Sequence, residues 1–322
     1  MKLNNNYRQI AYSCSLSLVA FFMTAFLTAC GGKAADVSVA SVDISQSSSN
    51  SRSNEIRVLT PVKGGVDIIG SEDTEVDYTN ASEGYIVANY SGDSSRVKFQ
   101  IAGSNQVTYT YNLPLNTDTV IPLTSGSGTY ELTSYVNIDG DQFAADFADT
   151  IDVSITNELG PYLYPNQYVN FTSDTAAVKK AAEVTADATC DLDAVSKVYD
   201  FVISTVTYDK EEAENVSTTY LPDVDEVMST GKGICFDYAS LMAAMLRSQG
   251  IPTRLEIGYA KDAYHAWISV YTEDQGWIGG VIQFNGINWT LMDPTLASNS
   301  KDIKKIKDFI GDGSSYTVKY MY

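Results

Sequence analysis

The sequence has little histidine, few cysteines and an unusually small share of basic residues. Among 322 residues there are one histidine and four cysteines, and 21 Lys and Arg stand against 40 Asp and Glu, for a net charge of −19. Nucleic acid and anionic lipid head groups repel so acidic a chain, so the charge excludes them as binding partners. A single histidine also leaves no His/Cys group with metal-ligand spacing, so we expect no metal or other cofactor.

Long apolar runs are missing as well, except near the N-terminus. Lys2 and Arg8 precede an uncharged, mostly apolar run over 10–27, which ends in Leu27-Thr28-Ala29-Cys30. A charged start, a short apolar run and small residues before a cleavage point are the anatomy of a signal peptide. The run is short for a membrane-spanning helix.

The Leu-x-Ala-Cys ending resembles the bacterial lipoprotein signal. The resemblance implies that 1–29 are removed and that Cys30 is lipidated, which would hold the protein at the extracellular face of the cell membrane. An ordinary secretory signal with an incidental cysteine is the alternative. Residues 30–54 are rich in Ser, Ala and Asn, and we expect a flexible linker there.

Two patterns divide the rest of the chain. Over 55–159, short runs alternate between apolar and polar residues and are separated by Gly, Ser, Asn and Asp, which predicts an antiparallel β-sandwich domain whose tyrosines form cross-strand packing pairs. Over 160–322, helical patterns precede strand patterns, which predicts an α+β domain. In this second domain we expect Asp191 to cap a helix and 210–222 to be an irregular loop that could cover a cleft.

One helix organises the second domain. Gly231-Lys232-Gly233 leads to Cys235, and the apolar spacing that follows predicts a helix to about Leu246. A cysteine in the first turn of a helix lies at the positive end of the helix dipole, which favours the reactive thiolate. His265 begins a predicted strand and Asp293 ends another, so spacings of 30 and 28 residues allow the three side chains to converge.

The second domain also contains Cys190. Secreted proteins usually pair their cysteines, but a Cys190–Cys235 disulfide would consume the proposed nucleophile. We expect both thiols to be free, and the disulfide remains the alternative.

Four blocks carry a resemblance to a known family. They are, in order, Gly233-x-Cys235-x-Asp237-Tyr238-Ala239, Gly250-Ile251-Pro252-x-Arg254, Tyr264-His265-Ala266-Trp267 and Trp289-x-x-x-Asp293-Pro294-Thr295. This series resembles the transglutaminase-like superfamily, which has a papain-like fold. No calcium-loop pattern is visible in the sequence, so the calcium dependence of animal relatives does not carry over.

The resemblance implies a thiol enzyme that acts on peptide, protein or cell-wall peptide amides. Cys235 would be the nucleophile, His265 the base and Asp293 the orienting acid, with a thioester intermediate that water or an amine resolves. The backbone N–H of Cys235 would meet the oxyanion, and Tyr208 is a candidate second donor, although we favour the interpretation of Tyr208 as a core tyrosine. The alternative function is a non-catalytic surface lipoprotein that binds its partner through the β-sandwich.

Overall fold

The computed structural model describes residues 52–279, 282–284, 289–291, 295 and 316–322. Within these residues, antiparallel sheets occupy the N-terminal part, and a mixed region of helices and strands follows. The α+β class with a preceding all-β region, predicted from the sequence, is therefore confirmed. In the described part of the chain, no helix is long and apolar enough to cross a membrane.

The N-terminal part consists of two four-stranded antiparallel sheets. Their strands are β1 (Ile68–Gly70), β2 (Thr74–Asp77), β3 (Tyr85–Tyr90), β4 (Val97–Ala102), β5 (Thr108–Asn112), β6 (Thr119–Pro122), β7 (Gly128–Asp139) and β8 (Gln142–Val153). One sheet has the order β1-β2-β3-β6 and the other β5-β4-β7-β8. In β4, Val97, Phe99 and Ile101 are buried and alternate with half-exposed Lys98 and Gln100, as a sheet with one core face requires.

The second part begins with five helices within the described residues: α1 (Ala176–Val184), α2 (Asp191–Thr205), α3 (Lys210–Asn215), α4 (Val224–Thr230) and α5 (Cys235–Arg247). Two short parallel strands, β9 (Thr207–Tyr208) and β10 (Lys232–Gly233), pair beside the start of α5. The later strands are β11 (Thr253–Ala260), β12 (Ala263–Thr272), β13 (Gly276–Ile278), β14 (Ile282–Phe284), β15 (Trp289–Leu291) and β16 (Tyr316–Met321). They form an antiparallel sheet of order β13-β12-β11-β16 and a separate β14–β15 hairpin.

Two local predictions were wrong. The irregular loop expected over 210–222 contains α3, because the Asp209 carboxylate accepts the Glu212 N–H at 3.0 Å and caps this helix. Asp191 does not cap α2 but is its first residue, and Cys190 occupies the N-cap position.

The end of the predicted linker contacts the second part of the chain. Arg52 forms an ion pair with Asp191 and donates to the Gln249 carbonyl at 2.9 Å. The Asn54 amide donates to the Ala186 carbonyl at 3.0 Å. Arg52, the first described residue, thus lies near the C-terminal end of α5, and Cys235 is at the opposite end of this helix.

Tyrosines connect the β-sandwich to the second part of the chain. Tyr109 and Tyr111 lie opposite Ile101 and Phe99 in the β4–β5 register, as cross-strand packing pairs do. Their rings also reach outward, since the Tyr109 ring lies 5.5 Å and the Tyr111 ring 6.1 Å from the ring of Tyr322. The β-sandwich therefore packs against the final strand of the α+β sheet.

Candidate active site

Backbone geometry fixes the position of Cys235. Ile234 is extended, with φ −93° and ψ 179°, and α5 begins at the next residue. The Ile234 N–H donates to Oδ2 of Asp237 at 2.7 Å. A Cβ on Gly233 would lie 2.6 Å from the Cβ of Asp237, so only glycine allows the strand to approach the helix this closely. These contacts hold the cysteine at the first position of the helix.

Cys235 is half-buried and free, and Cys190 is also half-buried and free. This outcome confirms the expectation of free thiols and excludes the alternative disulfide. The first N–H groups of a helix have no intrahelical acceptor, and they carry the positive end of the helix dipole. Both cysteines lie at such a position, Cys190 as the N-cap of α2 and Cys235 as the first residue of α5.

The start of β12 lies beside the start of α5. Burial raises the pKa of Tyr264, and smaller contributions come from Tyr320, Tyr259 and the nearby Cys235. Tyr264 immediately precedes His265, which pairs with Gly258 of β11. Because side chains alternate along a strand, His265 lies on the other face from Tyr264 and Ala266. β12 packs against α5, with Tyr264 within electrostatic range of Cys235, and a contact between the His265 imidazole and the Cys235 sulfur stays a prediction.

Asp293 and Cys30 lie outside the described residues. The strand predicted to lead to Asp293 is β15, in which Leu291 pairs with Ile282 of β14. Tyr208 is half-buried and pairs with Gly233 in the β9–β10 ladder. It therefore lies on the strand next to the one that leads to Cys235. Its role as an oxyanion donor stays a prediction, as do the catalytic roles of Cys235, His265 and Asp293.

Sequence reasoning did not identify the contacts of Asp237. Its carboxylate is fully buried, and Oδ1 accepts a hydrogen bond from the Tyr220 hydroxyl at 2.7 Å. Burial is the main reason that the pKa of Asp237 is raised to about 6. The Tyr220 ring also lies 6.4 Å from the ring of Phe236, the residue after Cys235. The segment after α3 is thereby fixed beside Cys235.

A second aromatic residue approaches from the linker between the two parts. The Tyr168 ring lies 5.8 Å from that of Phe236, and the Tyr168 hydroxyl donates to the Thr110 carbonyl of β5 at 2.8 Å. Contacts thus run continuously from the β-sandwich to the residue beside Cys235. Among the residues that the structure describes, no group of three or more His, Cys, Asp or Glu side chains could hold a metal.

Comparison with known proteins agrees with this arrangement. Residues 178–279 match the family model described as the transglutaminase-like superfamily. The chain carries a transglutaminase-like domain. The matched range includes α5 and β12, and therefore both Cys235 and His265. A free cysteine at a helix N-terminus in such a domain supports a cysteine-type enzyme in general.

Curated relatives match a limited part of the chain. Uncharacterized protein YebA of Bacillus subtilis (strain 168) is 32% identical over 30% of this chain and 16% of its own length. Uncharacterized protein ML0607 of Mycobacterium leprae (strain TN) is 33% identical over 30% of this chain and 36% of its own length. The chain thus spans well under half the length of these relatives.

Solved structures resemble the chain only distantly. A "putative cysteine protease" from Cytophaga hutchinsonii aligns over 71% of this chain and 69% of its own, with a TM-score of 0.34 and 15% identity. Red sea bream transglutaminase aligns over 66% of this chain and 48% of its own, with a TM-score of 0.27 and 13% identity. Scores this low carry no functional argument, which rests on the residues of the chain itself.

Proposed function

We propose that the protein is a thiol enzyme that cleaves or transfers peptide amides through Cys235, His265 and Asp293. The observation that carries this proposal is the free, half-buried thiol at the first residue of a 13-residue helix in a transglutaminase-like domain. The strand that bears His265 packs against the helix that begins at this thiol, which supports the proposal. The imidazole is the group that would exchange protons with the sulfur and the substrate.

The reaction would proceed in two balanced halves. The Cys235 thiolate attacks the amide carbonyl carbon, and a tetrahedral oxyanion forms at the N–H groups of the helix start. The C–N bond then breaks, the His265 imidazolium gives its proton to the leaving amine, and a thioester remains. Water or a second amine attacks the thioester, neutral His265 accepts its proton, and the thiolate leaves. Asp293 would hold the imidazole in the correct tautomer.

We further propose that lipidated Cys30 tethers the enzyme to the extracellular face of the membrane. The Leu-x-Ala-Cys ending supports this proposal, and the docking of Arg52 at the far end of α5 is compatible with it. A tether that enters at that end would leave Cys235 directed away from the membrane. Peptide, protein or cell-wall peptide amides at the cell surface are then the expected substrates.

The two free cysteines allow an internally controlled test. Both thiols are half-buried and lie at the N-terminal end of a helix, Cys190 as an N-cap and Cys235 as a first residue, and the proposal assigns a histidine partner to Cys235 alone. Native protein is treated with iodoacetamide at about pH 6, where an unassisted thiol is mostly protonated, and labelling of each site is followed by peptide mass spectrometry. We expect Cys235 to react at least tenfold faster than Cys190, and His265→Ala to remove this advantage.

A second measurement tests turnover itself. Native protein is incubated with a glutamine-containing or wall-derived peptide, quenched in acid and analysed for a thioester adduct on the peptide that contains Cys235. An adduct that disappears on neutral incubation and is missing in Cys235→Ala supports the enzyme. Equal labelling of Cys190 and Cys235, with no adduct, would contradict it and favour the non-catalytic binding lipoprotein.

A further inference from the structure

A glycine lies opposite His265 in the α+β sheet. Gly258 of β11 pairs with His265 of β12, so no side chain stands directly across from the imidazole on β11. Backbone of β16 takes the place of the missing Cβ, which would lie 2.0 Å from the carbonyl oxygen of Thr317 and 3.0 Å from the nitrogen of Lys319. The β11–β16 register shifts at this point, between Ile257 and Gly258, as it does at a β-bulge. The glycine therefore lets β16 approach β11 closely beside the histidine.

Three aromatic side chains lie on this face of the sheet. Trp267 follows His265 by two residues and shares its face. Tyr316 of β16 pairs with Ala260, two residues beyond Gly258, and lies on the same face. The His265 and Trp267 rings are nearly parallel, with centroids 6.2 Å apart at 26°, and the Tyr316 ring meets the indole edge-on, with centroids 5.0 Å apart at 83°. These side chains form an aromatic row in two arrangements that ring pairs prefer, offset stacking and edge-to-face contact.

Trp267 is the fixed member of the aromatic row. Its side chain is 3% exposed, and its chain neighbours Ala266 and Ile268 belong to the hydrophobic core on the opposite face. His265, in contrast, is half-buried. The imidazole therefore packs against a buried ring, and that ring cannot shift without displacing Tyr316.

We propose that Trp267 and Tyr316 are positioning residues for His265. Tyr316 fixes the indole through its edge contact, and the indole restrains the imidazole ring. An indole face also attracts a cation, so it favours the imidazolium that would pair with the Cys235 thiolate. Gly258 lets β16 come close enough for these contacts. This inference rests on the proposed function, because it assigns the two rings to the proton exchange between His265 and Cys235.

The charged groups around the aromatic row stay the same when its rings are changed. Glu256 of β11 is buried and pairs with Trp267. Lys319, at the bulge, is directed to the other face, since its ammonium lies 5.5 Å from the centre of the Tyr259 ring. From α5, the titratable group that the proposed function pairs with the imidazole is Cys235. A changed pH profile in a ring variant therefore reports the ring contacts.

Two pairs of variants and one control separate this role from simple packing. Trp267→Leu removes the aromatic face, and Trp267→Phe keeps one. Tyr316→Leu removes the edge contact, and Tyr316→Phe keeps the ring. Trp277→Leu is the matched control, because Trp277 belongs to the same sheet but packs with Tyr271, at a centroid distance of 5.5 Å. Tyr271 lies six residues along β12 from His265.

The readout is the pH profile of iodoacetamide alkylation at Cys235, from about pH 5 to about pH 9, with Cys190 as the internal reference in each sample. We expect Trp267→Leu to lower the rate at about pH 6 roughly two- to fivefold and to move the rise in rate to higher pH, the range that an aromatic–cation contact supports. Tyr316→Leu should act in the same direction by a smaller factor, and the two Phe variants should retain most of the wild-type rate.

The double variant with both leucines should be no slower than Trp267→Leu alone, because Tyr316 acts through the indole. Thermal denaturation of each variant shows whether it is folded. If Trp267→Leu fails to fold, Tyr316→Leu decides by the same criterion, since Tyr316 is only half-buried.

The outcomes are separable. A fast wild-type Cys235 with unchanged profiles in both Trp267→Leu and Tyr316→Leu would overturn the positioning role and leave the proposed function intact. Equal slowing in Trp277→Leu would also overturn it, because a general loss of packing in the sheet would then explain the effect. Slowing in Tyr316→Phe as large as in Tyr316→Leu would overturn the role of the Tyr316 ring and assign the effect to its hydroxyl. A wild-type Cys235 no faster than Cys190 would overturn both proposals.

Discussion

The Tyr220 hydroxyl donates a hydrogen bond of 2.7 Å to Oδ1 of Asp237, two residues beyond Cys235. The other carboxylate oxygen of Asp237 accepts the Ile234 N–H at 2.7 Å. One buried carboxylate therefore joins the segment after α3 to the backbone that places the cysteine. Removal of either partner leaves part of a buried carboxylate unsatisfied.

We expect Tyr220→Phe to lower the free energy of unfolding by about 1–2 kcal/mol, because the Asp237 carboxylate loses a hydrogen bond while the ring contact with Phe236 remains. Urea denaturation followed by circular dichroism measures the change. Tyr259→Phe is the matched control, since Tyr259 is 38% exposed and its ring packs against Tyr264. A loss as large in Tyr259→Phe would show that the hydrogen bond to Asp237 is not the cause.

Asp237 also predicts a pH dependence of stability. Burial raises its pKa from an ordinary 3.8 to about 6, so the folded protein retains a proton at a pH where the unfolded chain has lost it. The contribution of Asp237 to the free energy of unfolding is therefore fully present below pH 3.8 and is lost as the pH rises to about 6. The full decrease is on the order of 2–3 kcal/mol.

The test compares wild type with Asp237→Asn, which cannot titrate. Urea unfolding at intervals between about pH 4 and about pH 7 gives the difference in unfolding free energy at each pH. We expect the wild type to lose stability relative to Asp237→Asn as the pH rises across this range. A constant difference would mean that Asp237 titrates normally in the folded protein.

Much of this arrangement was predictable because it depends on local pattern. The apolar spacing after Cys235 gave the helix, and Thr253–Ala260 and Ala263–Thr272 alternate clearly enough to be predicted as strands. The free state of Cys190 and Cys235 was predicted because a disulfide between them would have consumed the proposed nucleophile. Helix α3 was missed because its six residues, Lys-Glu-Glu-Ala-Glu-Asn, are too polar to show an apolar period, and Asp209 alone signals its start.

The contacts that brace the site could not be predicted, because they join residues that no periodicity relates. Tyr220 lies in a segment without a pattern, and its link to Asp237 depends on how α3 turns back toward α5. Glu256 could be predicted as a strand residue but not as a buried one. Alternation predicts on which face of the sheet a side chain lies, but not whether other elements pack on that face. The contact of Tyr109 and Tyr111 with Tyr322 likewise requires the relative placement of the two parts of the chain.

Gly233 provides a direct test of how closely β10 approaches α5. A Cβ at this position would lie 2.6 Å from the Cβ and 3.0 Å from Oδ2 of Asp237, so Gly233→Ala must displace the carboxylate that accepts the Ile234 N–H. We expect a loss of about 1–3 kcal/mol in the free energy of unfolding, measured by urea denaturation. We also expect slower alkylation of Cys235 relative to Cys190, because the helix start moves.

Gly279→Ala serves as the control for that change. A Cβ at Gly279 would find its nearest neighbour, the Ser269 hydroxyl, at 3.9 Å, which is an ordinary contact. The substitution should alter stability by no more than about 0.5 kcal/mol. If both alanine variants lose the same amount of stability, the close approach of β10 to α5 is not the reason that position 233 requires glycine.

Arg247 predicts a stability effect that leaves the cysteine chemistry unchanged. Its guanidinium is fully buried at the C-terminal end of α5 and donates to the carbonyls of Thr253 at 3.0 and 2.8 Å, of Tyr164 at 2.8 Å and of Tyr322 at 2.8 Å. A lysine ammonium cannot reach three carbonyls from one point, so Arg247→Lys should lower the free energy of unfolding by about 2–4 kcal/mol. Arg96→Lys, on the exposed surface of the β-sandwich with 52% of its side chain accessible, should cost less than about 1 kcal/mol.

Because Arg247 lies twelve residues and roughly 18 Å along α5 from Cys235, the ratio of Cys235 to Cys190 alkylation should stay at the wild-type value wherever Arg247→Lys is folded. A changed ratio at full folding would show that the far end of the helix affects the thiol.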